Sequence, residues 1–259
     1  MGEADAALLA ALPAMAFHAV LLLSRLGAAV MLLPGLGEAE VPATIRLALA
    51  GAMVLALLPA LSPSLPPQPA QVSDLLLVVV AEVLCGLWIG LLARVLALAL
   101  AQAGQVASLM IGLSSPLQGD MVLGAAATAL SRLFSLAAAT LVLATGLYEL
   151  PLRALAGSYA VLPPGSGLPA GFAAEEMTRV AAASLAIALR LAAPLVLAGL
   201  MLNAALGLAA RLAPQSQIFL LAAPVQIVGG LLLLTMLLPR LLAAWGTTMS
   251  QGFASLPGS

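Results

Sequence analysis

The residues of this chain that could do chemistry are few and stand far apart. Nucleophilic catalysis by a serine inside a membrane needs a hydroxyl at a tight turn and a histidine base on another helix. Gly112-Leu113-Ser114 offers the first, but Ser115 stands where that signature has glycine, and the only histidine, His18, lies near the start of the first apolar segment. Such a histidine is read as a packed or interfacial residue. Cys85 is the only cysteine and sits in an apolar run, which leaves neither an intramolecular disulfide nor a cysteine-based metal site. The chain has no phosphate loop, dinucleotide fingerprint or zinc-binding helix motif. No catalytic, cofactor-binding or metal-binding residue is expected, and no cofactor.

The charges buried in sequence are more informative. Glu82, Arg94 and Arg190 fall inside apolar stretches. Each would cost roughly 3 kcal/mol or more at a bilayer centre, so each is expected to face protein or water and to find a partner. Arg179 and Arg190 are eleven residues apart, which places them near one helix face, about 16 Å apart. Structural pairing is the main reading, with a proton or ion path as the alternative. No carboxylate occurs after Glu176 to complete a local relay.

Small residues at four-residue spacing form a third group. Gly86 and Gly90, following Glu82, lie on one helix face, and Gly199, Asn203 and Gly207 repeat the spacing. This pattern lets a second helix approach closely, with Asn203 available for hydrogen bonds. Packing within the chain and packing against another subunit both remain open.

The elements that position these residues follow from composition. Hydrophobic residues make up 63% of the 259 positions and charged residues 7%, with a mean hydropathy of +1.18, which excludes an ordinary soluble domain. All nine basic residues are arginines, scattered singly against ten acids, so no basic patch for nucleic acid exists. Glu3 and Asp5 stand where a secretory leader would carry Lys or Arg, which reads as an uncleaved first membrane helix.

Six apolar segments are long enough to matter at about 20 residues per bilayer crossing. They run from Met15 to Leu33, Ile45 to Leu61, Leu75 to Leu100, about Ala125 to Leu147, Val180 to Leu212 and Ile218 to Trp245. Turn residues separate them, including a Pro/Gly-rich loop at 157–171. The expected fold is an all-α integral membrane protein, one domain over 1–259, with six apolar segments forming kinked helical hairpins. Pro194 is expected to kink or split the fifth segment, and Pro224 and Pro239 to break the sixth. Interfacial aromatics are scarce and arginines lie within the apolar segments, so lipid contact is expected to be small and orientation is undetermined.

Three ordered motifs carry a family resemblance. The first runs from Arg25 through Pro34-Gly35-Leu36-Gly37-Glu38 to Val41-Pro42 and Ile45-Arg46, where the glycines and prolines force a tight turn and Pro42 opens a helix. Glu38 and Arg46 could pair across that turn. The second is Glu82 to Gly86 with Gly90, continuing through Gly104-Gln105 to Gly112-Leu113-Ser114. The third joins Asn203 and Gly207 to Arg211, Pro214-Gln215, Phe219 and Pro224. Together they resemble the FliR family of type III export-gate proteins over most of the chain.

That resemblance implies a fold like a fused FliP-like plus FliQ-like unit, with helical hairpins standing partly above the membrane plane. It implies one copy assembling with FliP-like and FliQ-like subunits, and also FlhB-like and FlhA-like ones, in the bacterial cytoplasmic (inner) membrane at the flagellar basal body. The substrates would be unfolded rod, hook and filament proteins. The loop at 112–123 corresponds to the family's plug, with Met110, Gly112, Leu113, Ser114, Leu117, Met121 and Val122 as gating residues. An apolar constriction of this kind can seal by dewetting. Ser115-Pro116 replaces the Phe common after Gly-Leu-Ser in the family. The alternatives are the homologous subunit of a virulence system and, more remotely, a six-helix small-molecule transporter. The Pro-Gly-Leu-Gly-Glu turn favours the flagellar branch.

Overall fold

Long runs of Leu, Ala and Val with no period-2 alternation satisfy their backbone polar groups in an apolar solvent as helices, each bond made within the segment. The computed structural model describes residues 3–112, 129–212 and 218–259; within these, the side chains of 3–10, 210, 212 and 218–223 are left aside. Among the described residues there are helices and turns and no strand.

The helices are α1 (Glu3–Val30), α2 (Ala43–Leu61), α3 (Val72–Ala97), α4 (Ala99–Ile111), α5 (Ala129–Ala144), α6 (Glu149–Val161), α7 (Ala170–Leu212) and α8 (Ile218–Phe253). A short 3-10 turn, Ser62–Ser64, closes α2. Five stretches are long and apolar enough to cross a membrane. The pair α5 and α6, bent by 72°, makes a possible sixth.

Several boundaries differ from the sequence expectation. The third apolar segment does not end at Leu100: after a break at Leu98, α4 carries the chain to Ile111. Gln102 and Gln105 lower its hydropathy, yet it buries Leu100, Ala103, Ala107 and Ile111 along one stripe. The helix α6 occupies part of the expected 157–171 loop, which narrows to 162–169. Pro151 sits in its first turn, where a missing amide costs no helical bond.

Of the kink or split expected at Pro194, the split is absent, because α7 is one helix of 43 residues. Likewise α8 is one helix of 36 residues with Pro224 and Pro239 inside it. A proline removes one helical bond and freezes a backbone angle the helix already uses, so a long helix can continue through it. At 1.5 Å per residue these helices are about 65 and 54 Å long, well beyond a hydrocarbon core of about 30 Å.

The chain forms two compact units, a division that hydropathy does not mark. Unit 1 comprises Met1–Val95, Val142–Val180 and Ser250–Ser259, and unit 2 comprises Leu96–Leu141 and Ala181–Met249. In unit 1, α1 buries Phe17, Leu21, Leu22, Leu26 and Ala29, while α3 buries Ile89, Leu92 and Ala93. In unit 2, Phe134, Leu191, Leu195, Leu234 and Trp245 are buried from α5, α7 and α8.

Candidate functional site

The end of α4 in unit 2 is where the chain enters the expected plug. Four contacts fix it. Gly112 caps the helix in the left-handed region at φ 78°, its N–H returning to the Ser108 carbonyl. Glycine takes that conformation without the steric penalty a side chain would impose. The carbonyl of Met110, among those a helix terminus leaves without a partner, accepts a hydrogen bond from Gln226 Nε2 at 2.7 Å. A Cβ on Gly199 would lie 3.0 Å from Met110 Cβ, and a Cβ on Gly230 would overlap Ile111 Cγ2. The last turn of α4 thus rests on bare backbone of both α7 and α8.

Farther back, Gly104 brings α4 against α5. A Cβ there would stand 3.0 Å from the Leu130 carbonyl oxygen and from a Phe134 ring carbon. Ser131 Oγ donates to the Ala101 carbonyl at 3.0 Å. The helices on both sides of residues 113–128 are therefore locked together. Leu113, Ser114, Leu117, Met121 and Val122 lie outside the described residues; Met110 and Gly112 form the described rim.

In unit 1, the buried charges find partners. Arg25 and Glu82 are 0% and 1% exposed and pair through two bonds, Nε to Oε2 at 2.7 Å and Nη2 to Oε1 at 3.0 Å. Arg25 Nη1 also donates to the Leu162 carbonyl at 2.9 Å and to Ser158 Oγ at 3.3 Å. The guanidinium carbon lies 4.2 Å from the Tyr159 ring centroid, and the Gly165 N–H donates to Glu82 Oε1 at 3.0 Å. With lone pairs and protons both satisfied, the pair is held rather than merely buried. Together these contacts tie α1, α3, α6 and the 162–169 loop.

Gly86 and Gly90 make that possible. A Cβ on Gly86 would overlap the Arg25 carbonyl oxygen, and one on Gly90 would lie 2.7 Å from the Ala29 carbonyl oxygen. In contrast, a Cβ on Gly207 would meet nothing, and Asn203 is exposed. The Gly199-Asn203-Gly207 series therefore splits: its first member packs on α4, and the other two face outward.

The turn after α1 corrects one expectation. Glu38 does not pair with Arg46; it accepts two bonds from Arg94 of α3, at 2.6 and 3.1 Å. Arg46 instead closes its own turn onto the Val41 carbonyl, at 2.8 and 3.2 Å. Pro34 and Gly35 are buried, and Gly35, at φ 80°, presses against Val142 and Leu143. Gly37 donates to the Leu33 carbonyl at 2.6 Å, and a Cβ there would lie 2.5 Å from the Met31 carbonyl oxygen. Pro42 takes the extended conformation before α2, as the family-like motif requires of a helix opener.

The remaining motif residues are less informative. Arg211 is exposed at the end of α7, and Pro224 is exposed within α8. Pro214 and Gln215 lie outside the described residues, as does the side chain of Phe219. Arg190 is exposed on α7, and among the described residues it forms no ion pair. Arg179 pairs with Glu176 at 2.5 Å on its own helix.

Sequence reasoning missed Gln226, Gly230, Ser158 and Tyr159. Gln226 carried a usable signal as the only amide in the apolar stretch 218–234. The others have none, because their role depends on which helix lands against them. Among the described residues no group of His, Cys, Asp and Glu could hold a metal ion.

Comparison with known proteins bears on what this arrangement serves. The family model described as "Bacterial export proteins, family 1" matches residues 16–252. A Caulobacter vibrioides protein named flagellar biosynthetic protein FliR is 35% identical over 229 residues, covering 88% of this chain and 91% of the relative. Proteins of the same name from Escherichia coli and Aquifex aeolicus are 29% and 31% identical over 219 and 223 residues. They cover 84% and 85% of this chain and 82% and 83% of their own lengths.

Proposed function

This chain belongs to family 1 of the bacterial export proteins, among the FliR proteins, and we propose that within a flagellar export apparatus it supplies channel wall and plug. It is a membrane-embedded subunit of that apparatus, a component of transport. In the proposed role, the helices form part of the wall and residues 112–123 close the passage until an unfolded rod, hook or filament protein enters. FliP-like and FliQ-like subunits complete the wall in the inner membrane at the basal body, with FlhA-like and FlhB-like subunits beside it.

The observation that carries this reading is the anchoring of α4. A loop that gates must spring from a fixed rim, or its closure would depend on the fluctuations of its base. Gly112, Gln226, Gly199 and Gly230 supply that rim at the point where the apolar residues Leu113, Leu117, Met121 and Val122 follow in sequence. The test is to shorten 113–122 in the assembled complex and record membrane conductance without substrate. A raised resting ion leak supports the plug. Unchanged conductance removes it.

A further inference from the structure

We infer, resting on the assembly proposed above, that an exposed face of the α7–α8 hairpin docks a helical partner subunit, and that this partner presents carboxylates to Arg190 and Arg240.

Register comes from α4. Gly199 of α7 and Gly230 of α8 pack against the consecutive residues Met110 and Ile111, so they lie at nearly one level on two helices that run in opposite directions. Arg190 precedes Gly199 by nine residues and Arg240 follows Gly230 by ten. Both arginines therefore stand about 15 Å farther from the connection between the helices. At about 100° per residue, Arg190 is opposite Gly199, the residue that faces α4, and Leu197 and Met201 fall within about 20° of it. Gly229 and Met236 fall within about 40° of Arg240. The two cations share one level, each on an apolar strip of its own helix.

Charge indicates what covers these strips. Unit 2 carries four arginines against one acid, Asp120, whereas unit 1 carries nine acids against five arginines. Arg190 and Arg240 are exposed, and among the described residues neither makes an ion pair. The apolar runs continue past both, through Leu189 and Leu191 and through Leu238 and Leu241, so each cation stands inside apolar surface.

Hydrocarbon over this face would leave two guanidiniums without an anion. Water would leave Leu197, Met201, Leu232 and Met236 uncovered, all of them more than half exposed in the single chain. A protein helix that carries carboxylates meets both demands, since the paired charges can then be buried with the apolar side chains. Gly229 gives such a helix room. It is exposed, and a Cβ there would meet nothing, which leaves a notch where a second backbone can approach.

The test coexpresses the full chain with the subunits proposed as its partners and recovers the complex through a tag on this chain. R190E/R240E should retain about tenfold less partner than the unaltered chain, because a reversed charge strands the carboxylate opposite it. R190K/R240K should retain most of it, and R153Q, an exposed change in unit 1, all of it. The melting temperature of the reversed variant alone should not move, because both side chains are exposed in the single chain. A photoreactive benzoylphenylalanine at Met201 or Met236 should crosslink to a partner peptide with Asp or Glu within one helical turn of the crosslink. Crosslinks to lipid only, or to a peptide without an acid, would overturn the inference. So would a partner loss matched by a fall in melting temperature, which would make the arginines structural. An unaltered chain that retains no partner would sink the assembly reading itself, whereas equal retention by the unaltered chain and the reversed variant would sink this docking face alone.

Discussion

Gln226 on α8 donates its side-chain amide to the main-chain carbonyl of Met110 on α4, two residues before the helix cap at Gly112. One bond thus joins the helix that ends at the proposed plug to the helix that supports it. Replacing Gln226 with Leu leaves the carbonyl unpaired at a cost of about 1–3 kcal/mol. Hydrogen exchange of the last α4 amides should rise while α1 amides stay protected. Equal protection in both would show that the bond does not hold the rim.

Glycine substitutions should separate close approach from mere spacing. Gly86→Ala and Gly230→Ala place a methyl on the Arg25 backbone and on the Ile111 side chain, and each should cost about 1–3 kcal/mol. The Gly230 variant should recover in part when Ile111 is also replaced by Ala. Gly207→Ala meets nothing and should be neutral or slightly stabilising in the isolated chain. Thermal unfolding in detergent checks all four; a loss at Gly207 as large as at Gly86 would contradict the assignment.

The Arg25–Glu82 pair should behave as a unit. Glu82→Leu leaves a guanidinium buried without its carboxylate and should destabilise by about 3–5 kcal/mol. Replacing both residues with Leu should cost less than the single change, since no charge is then stranded. The amount of monodisperse protein after extraction, with its melting temperature, provides the comparison. A double variant worse than the single would mean the charges do more than hold the helices.

The correction at the turn is testable by double-mutant cycles. Glu38 and Arg94 are 15% and 26% exposed in their side chains, so their coupling should be about 1 kcal/mol or less and should weaken with salt. Glu38 and Arg46 should be additive within the error of the measurement. Coupling between Glu38 and Arg46 in place of Glu38 and Arg94 would restore the original expectation.

Much of the architecture is legible in the sequence because hydropathy and turn chemistry act locally. Pro34, Gly35 and Gly37 mark a turn that the structure shows, and the starts of α2 and α8 fall within two residues of their apolar segments. The helix α6 escapes because thirteen residues with Glu149, Pro151 and Arg153 carry too little apolar character to stand out. The continuity of α7 through Pro194 escapes because proline sets a local tendency, which tertiary packing overrides. Partner choice is the least legible level. Glu38 has Arg46 eight positions away and Arg94 on another helix, and only the fold decides between them.

The central claim, that this chain is one subunit within a mixed export gate, is tested most directly by the native mass of the detergent-extracted complex. The chain would be coexpressed with the FliP-like and FliQ-like subunits proposed as its neighbours and purified through a tag on itself. The account predicts a stable mixed assembly containing a single copy of this chain. A stable monomer or homodimer that leaves those neighbours behind would contradict it.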